Sequence, residues 1–149
     1  MASTEPVVEP SARPFVIVVG VDGSAHSLAA LEWAITEARL RRGRIRLVTA
    51  WYYPPLAQTV GDGVIDDTFK HAAEQVQAQA VAAVADAGVH VTGQVVENSP
   101  AVALLHAAAD ANLVIVGAHG HGRLTGRLLG SVAAHVIHHA RCSVLIVRP

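Results

Sequence analysis

The chain has 149 residues, a length that fits one domain whose core needs no disulfide or metal staple. Hydrophobic residues make up 52% and charged residues 15%, against about 25% charged in ordinary domains, so intrinsic disorder is excluded for the body of the chain. Eleven Lys and Arg against twelve Asp and Glu leave a formal net charge of −1, which offers no basic field to nucleic acid or an anionic membrane. The single cysteine, Cys142, excludes an intramolecular disulfide framework and suits a reducing cytosol.

Residues 1–14 carry Glu5, Glu9 and three prolines without an apolar h-region, and read as a flexible tail rather than a secretory signal. Apolar runs such as Val16–Val19 and Leu113–Val116 have strand length and fall far short of the ~20 residues of a membrane span. The expected location is therefore cytoplasmic.

Phe15–Val21 reads as a fully buried strand that ends at the turn Asp22-Gly23-Ser24. Ser24 then caps a helix running to about Arg42, with Leu28, Leu31, Ile35 and Ala38 on one face and Gly43 closing it. Ile45–Ala50 is a second strand. Trp51–Asp66 is a long irregular stretch of the kind that often forms lids or binding loops. Asp66-Asp67 open a helix to about Ala87, ended by Gly88, and Val89–Glu97 is a third strand interrupted by Gly93. Ser99-Pro100 starts a helix to about Ala109, Leu113–Val116 is a fourth strand, Ser131–Ala140 a helix and Val144–Val147 a fifth strand. Buried strands alternating with helices predict an open α/β sandwich, a five-stranded parallel sheet with helices on both faces.

Ligands of such sheets bind beyond the carboxyl ends of the strands, where strand order reverses. Two loops there carry chemistry: Gly20-Val21-Asp22-Gly23-Ser24, and the glycine-rich stretch from Gly117 through Gly120, Gly122 and Gly126 to Gly130-Ser131. If both serve one site, strands one and four are neighbours and the order is 3-2-1-4-5. Glycines admit an anion to backbone N–H groups, and a helix N-terminus adds unpaired donors and partial positive charge, so phosphate is the expected guest. Ser131 offers a hydroxyl, and Arg123 and Arg127 offer mobile positive charge. The pattern is neither a P-loop nor a dinucleotide fingerprint, and it lacks the P-loop lysine, which argues against fast phosphoryl transfer.

Gly117-x2-Gly120-x9-Gly130-Ser131 resembles the G-x2-G-x9-G-[ST] signature of the ATP-binding branch of the universal stress protein family. Val18-Val19-Gly20-Val21-Asp22-Gly23-Ser24 looks like that family's opening strand and acidic turn, and Cys142-Ser143-Val144-Leu145-Ile146-Val147 like its closing strand. The resemblance covers residues 15–148, so residues 15–149 are expected to form one universal stress protein domain of Rossmann-like type. It departs from the family pattern at Asn98-Ser99-Pro100 and at Ser143, positions away from the expected nucleotide. What it implies is a nucleotide site with Asp22 and the backbone of Gly20 and Val21 beside the ligand, and Ala50 on the adenine edge. Gly117, His119 and Gly120 would bracket ribose and phosphates, with Gly130, Ser131 and Val132 on the phosphate tail. Arg123 joins them on charge and position. The implied ligand is ATP with Mg2+, Asp22 being the metal candidate, and the implied assembly is a homodimer through Val144, Leu145, Ile146 and Val147 of the last strand.

Other chemistries are weaker. His135, His138 and His139 fall at i, i+3 and i+4, and His119-x-His121 lies in the glycine loop, yet no cysteine or carboxylate completes a zinc set, so a solvated face is expected. The chain lacks G-x-S-x-G, which removes a Ser–His–Asp hydrolase. Cys142 has no resolving partner for redox sensing and is expected to pack as a small apolar group. Two functions remain: a nucleotide-dependent regulator of stress response or growth with at most slow ATP hydrolysis, and a dimeric scaffold for which nucleotide is weak or incidental.

Overall fold

Val16–Gly20 (β1) and Leu113–Gly117 (β4), two five-residue apolar runs, pair with each other in the interior of the sheet. The computed structural model describes residues 13–53, 67–121 and 128–149. The remaining elements are Ala25–Arg41 (α1), Arg44–Trp51 (β2), Thr68–Ala83 (α2), His90–Glu97 (β3), Pro100–Ala107 (α3), Ser131–His139 (α4) and Ser143–Val147 (β5). All described strand pairs are parallel, in the order β3-β2-β1-β4-β5. The expected order and layering are observed.

Strand alternation sorts the continuous apolar runs onto two faces. Ile17, Val19, Ile45, Leu47 and Ile115 point toward α1 and α2, where they meet Ala30, Leu31, Ala34, Ala38 and Ala80. Val18, Val48, Val114 and Val116 point the other way, onto Ala103, Leu104, Ala107, Ala133 and Val136 of α3 and α4. Helices cover both faces, which is why the central strands carry no polar alternation.

Ser24 caps α1 as expected: its hydroxyl oxygen accepts the Ser27 N–H at 3.2 Å. The other end differs from expectation. The left-handed residue is Arg42, at φ 51°, and Gly43 follows it. Gly43 is bare for another reason, since a Cβ there would lie 2.5 Å from the Phe15 carbonyl oxygen, where the chain approaches the start of β1. Helix α2 stops at Ala83, short of the expected Ala87, and Gly88 takes φ 70° in the turn that follows. Gly93 does not break β3; it leaves room for the buried Gln77 side chain of α2. Helix α3 ends at Ala107, where Arg46 of β2 donates to the Ala107 carbonyl and, at 2.9 Å, to Asp110.

Most of the expected tail, most of the stretch after Trp51, and Arg123 and Arg127 lie outside the described residues. No helix among the described residues is long and apolar enough to cross a membrane.

Candidate functional site

The carboxyl ends of β1 and β4 lie side by side, and the loops leaving them diverge to α1 on one face and α4 on the other. Between them is a cavity of about 410 Å3. Its lining includes Gly20, Val21, Asp22, Ala50, Gly117, His119, Gly120, Gly130, Ser131 and Val132, so the described residues singled out from sequence converge on one space. Arg123 falls outside the described residues.

The β1 loop is held by the chain itself. Val21 N–H donates to the Val48 carbonyl at 3.0 Å, extending the β1–β2 ladder into the loop. Asp22 Oδ1 accepts the Ser24 N–H at 2.9 Å, and the Asp22 N–H donates to Ser27 Oγ at 3.3 Å. Burial pushes the Asp22 carboxyl upward, but hydrogen bonds from Ser24 and Ser27 and the neighbouring His121 outweigh it and leave the group below its ordinary value. A single carboxylate, ionised at neutral pH and with one oxygen facing Gly120, fits a hard cation delivered with phosphates. Among the described residues no group of three His, Cys, Asp or Glu could hold a metal without such a ligand.

The glycines of the β4 loop divide by what surrounds them. A Cβ on Gly117 would sit 2.7 Å from His26 Cβ and 2.8 Å from its carbonyl carbon, so Gly117 is where the loop crosses the start of α1. A Cβ on Gly120 would meet only the Asp22 carboxylate, at 2.7 Å to Oδ2. Gly130 donates its N–H to the Ala118 carbonyl at 2.7 Å and leads extended into α4, whose first residues line the cavity. Helix amides there have no partner within their own helix and carry partial positive charge. The described lining contains no Lys or Arg, so these dipoles and the histidines are what an anion meets there.

His119 and His26 meet edge to face, ring centroids 5.2 Å apart, and the Nδ1 of each is buried without a hydrogen-bond partner. His121 Nε2 bonds the Asp22 carbonyl oxygen at 2.5 Å and ties the two loops together. The last-helix histidines are exposed, with His135 and His139 stacked at 4.2 Å.

Sequence reasoning missed one wall. Tyr52, Pro100 and Leu104 line the cavity on the side of β2 and α3, which corrects the expectation that Pro100 stands away from the ligand: the first turn of α3 opens onto the strand ends. Tyr52 lies two residues beyond Ala50, so continuing the strand's period of two past its end points to it.

A parallel α/β sheet whose glycine-rich switch-point loops enclose a cavity defines a class of small-ligand binding domains. The sequence profile of the universal stress protein family matches residues 15–148, and the chain belongs to that family. A universal stress protein of Mycobacterium tuberculosis, Rv2005c, is 35% identical over 152 aligned residues, covering 97% of this chain and 49% of its own length. The chain spans about half the length of the curated relatives it matches. The universal stress protein from Archaeoglobus fulgidus in complex with dAMP superposes with TM-score 0.68 at 25% identity, over 90% of this chain and 98% of that one. A universal stress protein in complex with cAMP superposes with TM-score 0.66 at 29% identity, over 90% and 96%.

Proposed function

We propose that this chain binds an adenine nucleotide, ATP together with Mg2+, and acts through the bound state as a regulator in stress response or growth. The observation that carries the reading is the cavity at the β1–β4 switch point, in which Asp22, the Ala50 strand end and the α4 N-terminus face one space. Its volume falls within the range of small-molecule sites. The dAMP and cAMP complexes of two relatives support an adenine ligand. In this reading Gly120, Gly130 and Ser131 receive phosphates, Ala50 meets the base edge, Asp22 faces the metal, and Arg123 adds charge.

Hydrolysis is at most slow. The described lining offers no lysine to stabilise a leaving phosphate, and its only carboxylate is already engaged with Ser24. The reading places the protein in the cytoplasm, in keeping with the free thiol of Cys142.

A second reading, a dimeric scaffold, has its own observation. β5 is the last strand of the sheet, and Val144, Leu145 and Ile146 are only half-buried along it. An apolar open edge of this kind pairs with another strand, and a second copy joined through Val144–Val147 would cover it.

Calorimetric titration of nucleotide-stripped protein with ATP, with and without Mg2+, separates the two. Micromolar affinity that weakens when Mg2+ is withheld supports the nucleotide reading. No heat of binding at millimolar nucleotide, with a dimer still present by sedimentation, overturns it in favour of the scaffold.

A further inference from the structure

Three aromatic residues leave the end of β2 in succession, and they divide between two environments. Trp51 and Tyr53 meet edge to face with ring centroids 5.4 Å apart, and Tyr53 continues to Phe69 of α2 at 6.1 Å. Tyr52, between them, has no ring partner among the described residues; it lines the cavity and remains 51% exposed. Its neighbours fix where it stands. Trp51 closes the last rung of the β2–β3 ladder, and its carbonyl accepts the Asn98 N–H at 2.9 Å.

The rest of that side of the cavity is apolar and rigid. Leu104 is 3% exposed and lies against bare Gly20, its methyls 3.1 Å from where a Cβ would be. Pro100, at the first position of α3, has a fixed ring and no N–H. Asp22 lies in the loop after β1, against Gly120, and His119 and Ser131 belong to the β4 loop and the start of α4. The cavity therefore has an apolar end bounded by Tyr52 and the start of α3, and a polar end bounded by helix amides and histidines.

We infer that Tyr52 is the stacking wall of a base slot, so that the apolar end selects flat aromatic bases and favours the larger purine face over a pyrimidine. The inference rests on the nucleotide reading. A half-exposed tyrosine without a ring partner among the described residues gains contact area and quadrupole complementarity from a stacked base, and the larger ring system gains more. Removing one such platform weakens base binding by about 5- to 150-fold.

The test compares native chain with Tyr52→Ala and Tyr52→Phe, titrated with ATP, UTP and inorganic tripolyphosphate, which has no base. Tyr52→Ala weakens ATP about tenfold, Tyr52→Phe stays within about twofold of native, and tripolyphosphate affinity is unchanged in all three. The native preference for ATP over UTP shrinks in the alanine variant. Equal ATP affinity in the native and alanine proteins overturns the stacking wall while leaving the nucleotide reading standing. Parallel losses for ATP and tripolyphosphate also overturn it, because they mark a general disturbance of the cavity. A native chain that takes up no ATP removes both.

Discussion

Gly117→Ala separates the glycine that the fold needs from the glycines that a ligand needs. The new methyl would lie 2.7 Å from His26 Cβ, 2.8 Å from its carbonyl carbon and 2.9 Å from its carbonyl oxygen. These atoms belong to the backbone and base of α1, which is locked by the Ser24 cap on one side and by the buried Ala30, Ala34 and Ala38 on the other. No flexible side-chain end can yield, so either β4 or the whole helix must shift by several tenths of an ångström. Overpacking of this kind costs about 2–3 kcal/mol, which lowers the melting temperature of a chain this size by about 5–10 °C. Gly120→Ala is the control. Its methyl meets only the Asp22 Oδ2 at 2.7 Å, the far end of an exposed side chain, so melting should stay within about 1 °C of native while nucleotide affinity falls. Thermal denaturation followed by circular dichroism reads both. A Gly117→Ala melting point within about 1 °C of native would refute the close-crossing argument, and the glycine would then belong to the ligand alone.

The remaining predictions follow from single contacts. Arg46→Met keeps the aliphatic stem but leaves the Ala107 carbonyl without its donor, and should cost about 1–2 kcal/mol in urea denaturation; Asp110→Asn, at the exposed end of the same pair, should be nearly silent. Equal losses in the two variants would show that the ion pair, not the helix-end carbonyl, is what Arg46 stabilises. Asp22→Ala should lower Mg-ATP affinity by about tenfold or more, whereas unchanged affinity removes Asp22 from the site. The native Asp22 carboxyl lies below its unfolded value, so its contribution to stability is present above about pH 4 and disappears as pH falls through the folded value. The stability gap between native and variant should therefore close on acidification, and a gap that widens contradicts the hydrogen-bond account. Burial raises the Cys142 thiol, so alkylation at pH 7 followed by mass spectrometry should run slower in the folded chain than in urea. Equal rates would show that Cys142 is not sheltered by the α3–α4 face.

The strand order was legible because two loops with complementary chemistry, Asp22 after one strand and the glycine series after another, need adjacent strands to share a ligand. The cavity's glycine-lined side was legible for the same reason, since the spacing Gly117–Gly120–Gly130–Ser131 places bare backbone before a helix start. What the glycine pattern hides is the neighbour each glycine accommodates. Gly117 and Gly120 look alike in sequence, yet one faces the α1 backbone and the other a carboxylate. Gly43 invites reading as a helix stop, but Arg42 carries the left-handed turn, and Gly43 answers to the Phe15 carbonyl 28 positions away. Helix α2 was overextended because the alanines beyond Ala83 favour helix, while the turn at Gly88 must return the chain to β3. Tyr52 was missed because Trp51-Tyr52-Tyr53 opens a stretch that reads as one long irregular loop, and only the positions of Phe69 and α3 tell which ring is left for the cavity.

The amide of Gln77 carries a consequence for how this wall is aligned. Helix α2 meets the sheet largely through alanines, Ala73 and Ala80, whose small, uniform surfaces would tolerate sliding by a turn. Gln77, buried between them, takes the Thr49 hydroxyl on its oxygen and donates its nitrogen to the Leu47 carbonyl at 3.3 Å. Only one registration satisfies both ends of that amide, because any other strands a polar group in an apolar layer. The helix is pinned along its axis by one side chain, as a dowel fixes two planed boards. That registration delivers Phe69 to Tyr53, holds the end of β2, and so sets the angle at which Tyr52 faces the cavity about two helical turns from the pin.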